Sequence, residues 1–113
     1  MATVKMATFN LHHFAAPGIF WHERKPSATY SATQWADKKS WIADVVAEMD
    51  ADVIGFQEVV SYDELAALMT ASGYPHFFCT GHPMFDAEDP AVYVNATVAI
   101  ASRHPFVSVR PLS

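Results

Sequence analysis

The chain is poor in cysteine, in basic residues and in long apolar runs, and each shortage excludes something. Cys79 is the single cysteine, so no internal disulfide can staple the fold and nothing calls for an oxidising compartment. No His/Asp constellation around it in the sequence argues for a nucleophile, so it reads as a buried small hydrophobe. Only 7 Lys and Arg stand against 12 Asp and Glu, and the formal charge of −5 supplies no bulk positive field for gathering nucleic acid. A bound divalent cation would reverse that sign locally. No apolar stretch approaches the roughly 20 residues of a membrane span, and the opening MATVKMATFN lacks the apolar core and cleavage site of a signal peptide. No transmembrane segment and, by default, a cytoplasmic location are therefore expected. Oligomeric state leaves no signature.

What is present supports a packed core: 51% of the 113 residues are hydrophobic and 17% charged, a balance suited to one domain. No repeat, low-complexity tract or Pro/Gly/Ser-rich linker divides it. VKMATFNL (4–11) alternates loosely and predicts a strand, with Asn10 near its end. Residues 12–32 hold Pro17, Gly18 and Pro26 and read as a long functional loop, although Phe20 and Trp21 give it aromatic content. Ser31 and Gln34 form a capping box before Trp35, Lys38, Ile42, Val45, Val46 and Met49, spaced as one helix face. DADVIGFQ then reads as an interior strand. Ser61 and Glu64 suggest a second capping box, with Leu65, Leu68 and Met69 as the buried stripe and Gly73 as the stop. YPHFFCT, VYVNATVAIAS and FVSVR predict strands, with GHPMFDAEDPA as a loop.

Asp52 to Val59, DVIGFQEV, poses the chemical question, because an interior strand ending in a carboxylate carries a desolvation cost unless an opposite charge offsets it. If this strand neighbours the first, Asn10 and Glu58 emerge at one edge as a hard-oxygen pair suited to Mg²⁺. Gln57 would orient Glu58 or face the other way. On spacing alone a solvated Glu and a turn-forming Asn are the commoner reading of the same letters. Zinc is a weaker reading of the His12-His13 and WHERK segments, since adjacent residues on a strand face opposite ways and no second His completes a zincin motif. His12 and His13 nevertheless lie close enough to Asn10 to reach a substrate. Asn95-Ala-Thr97 matches a glycosylation sequon by chance within a strand, and Trp35, Trp41 and Ile42 read as helix packing that Trp21 would close over.

ATFNL, then DADVIGFQEV, then NATVAIASRHPF together resemble the N-terminal part of the endonuclease/exonuclease/phosphatase (DNase I-like) family, Mg²⁺-dependent phosphoesterases. The resemblance implies the N-terminal part of a four-layer α/β sandwich, with residues 1–113 as a partial domain. It implies that Glu58 and Asn10 are catalytic residues that ligate Mg²⁺, with Mn²⁺ as a substitute. It also implies that Asn95, Ser102 and Arg103 line a phosphate-binding rim, where Arg would make bidentate contacts. The substrate would be a phosphodiester or phosphomonoester of nucleic acid, phospholipid or inositol phosphate, selected by loops such as residues 12–32. The family's later Asp-x-Asn and Asp-His motifs do not occur in these 113 residues, and His104 does not replace them because it follows directly on Ser-Arg. The expectation is a phosphoesterase portion that is inactive alone; the competing reading is a noncatalytic interaction module on the same fold.

Overall fold

The computed structural model describes residues 3–106. Its strands are β1 (Met6–Phe14), β2 (Phe20–Trp21), β3 (Val53–Val59), β4 (His76–Cys79), β5 (Met84–Phe85), β6 (Val92–Asn95) and β7 (Thr97–Ser102). Helix α1 spans Ala32–Met49, α2 spans Tyr62–Ala71, and Pro26–Ala28 form a short 3-10 turn. Two sheets result, a four-stranded one in the order β1-β3-β7-β4 and a three-stranded one in the order β2-β6-β5.

The local signals explain α1 closely. The Ser31 hydroxyl accepts from the Gln34 amide at 3.1 Å and the Gln34 side chain accepts from the Ser31 amide at 2.9 Å, which closes the expected capping box. Asp50 ends the helix in the left-handed region, φ 45°, and returns its N–H to the Val46 carbonyl. The second box does not form. Ser61 does precede α2, but its Oγ accepts from the Ala16 amide at 2.8 Å. Glu64 instead accepts from Trp35 Nε1 at 3.2 Å. Tertiary partners took both side chains away from the cap, and they tie α2 to the β1–β2 connection and to α1.

Alternation along the strands decides which sheet face is covered. Phe9, Leu11, Ile54, Phe56, Ala99 and Ala101 pack with Trp35, Ile42, Val46, Leu65 and Met69 in one core, so both helices lie on the same face of the larger sheet. Burying each large side chain contributes about 1.5–3 kcal/mol. On the other face Met6 is 73% exposed, and Met6, Thr8, Val53, Gly55 and Ile100 line an open depression of about 280 Å³.

Several boundaries differ from the sequence expectation. β1 continues through His12, His13 and Phe14 rather than ending at Leu11, and Phe20–Trp21 form β2 inside the supposed loop. VYVNATVAIAS is two strands, because the chain changes sheets at Ala96: β6 pairs with β2 and β5, while β7 pairs with β3 and β4. GHPMFDAEDPA contains β5, and Pro75 falls just ahead of β4. Cys79 is half-buried rather than enclosed. The expected FVSVR strand lies outside the described residues except for Phe106. No helix among the described residues is long and apolar enough to cross a membrane.

Candidate functional site

β1 and β3 pair in parallel with Asn10 opposite Gln57, so their C-terminal ends emerge together and bring Asn10 beside Glu58. Beyond that rung the register breaks on both flanks of β3. Toward β1, Leu11, His12 and His13 intervene between Asn10 and Phe14 while β3 spends Glu58 alone. Toward β7, Gln57 and Glu58 stand against Val98. Bulges of this kind re-aim side chains at sheet rims.

The backbone records the same convergence. His12, His13, His22, Asp50 and Glu58 are the non-glycine residues with positive φ among those described, and only the helix cap Asp50 lies away from this rim. Each such residue stores on the order of 1–3 kcal/mol unless its surroundings hold it, and such strain clusters at ligand sites.

The surroundings are a linked set of aromatic and titratable groups. The His12 N–H donates to Asn10 Oδ1 at 2.9 Å, an Asx turn that leaves a lone pair of that oxygen open. Glu58 Oε2 lies 3.7 Å from His12 Nδ1, with the two side chains 39% and 77% exposed. The Tyr30 hydroxyl donates to the His12 carbonyl at 2.8 Å. His13 is stacked on Trp21 at 4.6 Å, meets His22 edge-on at 6.0 Å, and shares a hydrogen bond between its Nδ1 and the Tyr93 hydroxyl. Trp21 therefore closes over His13 and Tyr30, not over the α1 tryptophans. Lys38 Nζ sits 5.2 Å above the Tyr30 ring.

Burial and the Glu58 charge set the protonation of this ring of groups. Burial holds the His13 pKa below its ordinary value against the opposing pull of Glu58. It also lowers Lys38, again with Glu58 opposing. Tyr93 and Tyr30 are pushed up, first by burial and then by Glu58, so both phenols keep their protons at neutral pH.

The residues expected at this site divide into two groups. Asn10 and Glu58 come together. Asn95 lies at the same end of the sheet, because Thr97 pairs with Val59; its Nδ2 reaches Met84 Sδ at 3.5 Å. Ser102 and Arg103 do not join them. Antiparallel pairing sets Ser102 against Val53 at the start of β3, a strand length of roughly 17 Å from Glu58 at about 3.3 Å per residue. Ser102 is 3% exposed and its Oγ accepts from the His104 amide at 3.0 Å. The Arg103 guanidinium pairs with Asp50 at 2.7 Å and covers the Tyr74 ring at 5.1 Å. Sequence spacing missed Tyr30, Lys38 and Tyr93 altogether. The aromatic content of the 12–32 segment was the available hint for Tyr30, whereas nothing local marks Lys38 or Tyr93.

Glu58 and the open lone pair of Asn10 make an all-oxygen donor set with one carboxylate, which fits Mg²⁺, a cation that keeps several waters and takes few protein ligands. Among the described residues there is no group of three or more His, Cys, Asp and Glu side chains arranged to hold a metal ion.

The model of the endonuclease/exonuclease/phosphatase family matches residues 7–113. The chain belongs to this family. A crystal structure of an endonuclease/exonuclease/phosphatase from Beutenbergia cavernae DSM 12333 shares the fold, with a TM-score of 0.57 and 22% identity over 94% of this chain. This chain covers 27% of that one, so it spans about a quarter of its length. No curated protein sequence matches. Membership of this family supports a phosphoesterase-type fold.

Proposed function

We propose that the Glu58 rim is the metal- and phosphate-binding part of a Mg²⁺-dependent phosphoesterase that hydrolyses phosphodiester or phosphomonoester bonds. The observation that carries the reading is the convergence of both β3 register breaks and four left-handed residues on one half-exposed carboxylate beside Asn10. Glu58 and Asn10 Oδ1 would hold the cation, with Mn²⁺ as a substitute. When bound, the metal supplies positive charge to the phosphoryl oxygens.

The chain's own groups then have distinct tasks. Glu58 would anchor the cation, whose charge would offset the desolvation of the carboxylate. The Tyr30 hydroxyl, donating to the His12 carbonyl, and the Tyr93 hydroxyl, hydrogen-bonded to His13 Nδ1, hold His12 and His13 in place. His12, mostly exposed, extends from the rim where a substrate oxygen would lie. His13, kept neutral by burial, avoids placing a second cation against the metal. The Asp-x-Asn and Asp-His motifs of the family are not in residues 1–113, so binding is expected to be measurable on this chain where hydrolysis is not.

Thermal denaturation with increasing Mg²⁺ tests the proposal. Wild type should gain stability as RT ln(1 + [Mg²⁺]/Kd), and Glu58→Ala should lose that gain. Equal metal responses in the two proteins would remove Glu58 from the site.

A further inference from the structure

Four of the six described Lys and Arg side chains are committed to carboxylates. Arg24 grips Asp89 through Nε at 2.9 Å and Nη2 at 2.7 Å. Lys25 meets Glu23 at 2.9 Å, Lys39 meets Glu64 at 3.7 Å, and Arg103 meets Asp50 at 2.7 Å. Among the described Lys and Arg residues, only Lys5 and Lys38 have no carboxylate at ion-pair distance. Lys5 precedes β1, at the end of the sheet away from Glu58.

Lys38 is placed differently. It is half-buried on α1, its ammonium lies over the Tyr30 ring at 5.2 Å, and Tyr30 in turn is bonded to the His12 carbonyl beside Glu58. Gln34, Asp37, Lys38 and Trp41 follow the i, i+3, i+4, i+7 spacing of one helix face, and with Tyr30 they line an open depression of about 390 Å³. The ammonium is therefore accessible to a small anion from that depression. A half-buried ammonium with no carboxylate in ion-pair contact carries a desolvation cost that the more distant Glu58 offsets only in part, and burial holds its pKa down.

We infer that Lys38 is the substrate-binding cation of this site, contacting a phosphoryl oxygen of the bound ester from the α1 side. The inference rests on the phosphoesterase reading above and supplies the positive contact that Arg103, tied to the far end of the sheet, does not. Local charge agrees with it. With Asp37 in the same depression, Glu58, Asp37 and Lys38 leave one net negative charge, so a divalent cation on Glu58 would bring the site to a single positive charge, which matches a phosphodiester monoanion. Lys38 acts as a point charge with rotatable donors, which suits a phosphate approaching over an aromatic ring.

The test is a titration of the 113-residue chain with inorganic phosphate, with and without Mg²⁺, read by backbone amide chemical shifts. Wild type, Lys38→Met, Lys38→Arg and Glu58→Ala are compared. Met keeps the buried stem, so loss of fold is not the expected result. Lys38→Met should bind phosphate about tenfold more weakly or worse, as loss of a hydrogen bond to a charged group implies, and Lys38→Arg should recover most of the affinity. Mg²⁺ affinity should persist in Lys38→Met and fall in Glu58→Ala. Equal phosphate binding by wild type and Lys38→Met, or none by wild type, overturns the inference. Unchanged Mg²⁺ binding in Glu58→Ala overturns the metal reading instead, and the metal-free phosphate titration still decides Lys38.

Discussion

Removing the Tyr93 hydroxyl isolates one contact that joins the small sheet to the rim. Tyr93 is a buried ring on β6 whose hydroxyl meets His13 Nδ1, while His13 remains stacked on Trp21. Tyr93→Phe keeps the ring and its packing, so the loss is one hydrogen bond with a net worth of about 1 kcal/mol. His13 is only partly buried, which lets water take the vacated position and keeps the cost at that lower value. For a domain of this size the change lowers Tm by about 4 °C. The His13 pKa should move little, because burial by its neighbours, not the phenol, is the largest cause of its depression. Trp21→Ala, which uncovers the imidazole, should raise it toward the ordinary value of 6.5. Thermal denaturation and an NMR titration of the imidazole protons read both effects. An unchanged Tm in Tyr93→Phe, together with a His13 pKa indifferent to Trp21→Ala, would refute the reasoning.

Other outcomes follow from the same geometry. Because folded His13 holds a proton less tightly than unfolded His13, the unfolded state binds more protons as pH falls below 6.5; the His13 contribution to stability should be complete above that pH and decline below it, and His13→Gln should flatten this part of the curve in chemical denaturation. Arg103→Ala should leave Mg²⁺ and phosphate affinity unchanged, since its guanidinium serves Asp50 and Tyr74; a marked loss of phosphate binding in a calorimetric titration would restore it to the rim. Phe56→Ala, at a fully buried position next to the β3 bulge, should cost about 3–5 kcal/mol by urea denaturation; a cost below 1 kcal/mol would mean that the described core is wrong there.

The elements that could be read from sequence were those whose determinants are local. Ser31 and Gln34 fixed the start of α1, and the apolar run through Ile54 and Phe56 marked β3 as interior. Asn10 and Glu58 could be paired from sequence because two neighbouring parallel strands end together. The errors came from long-range pairing. Ser61 and Glu64 carry a cap signature, yet their side chains answer to Ala16 and Trp35, which are distant in sequence. Ser102 and Arg103 follow a strand whose direction against β3 no local pattern states, and that direction alone sends them to the other end of the sheet. Lys38 reads as one more position on the α1 face. It becomes a site residue only because Tyr30, held by His12, lies beneath its ammonium.

Paramagnetic relaxation by Mn²⁺ tests the central claim most directly, because broadening reports distance from the bound ion residue by residue. At low Mn²⁺ the amides of Asn10, His12 and Glu58 should broaden first, those of Ser102 and Arg103 should stay sharp, excess Mg²⁺ should reverse the effect, and Glu58→Gln should abolish it. Broadening centred on the Asp50 and Asp52 end of the sheet, or an undiminished effect in Glu58→Gln, would contradict the account.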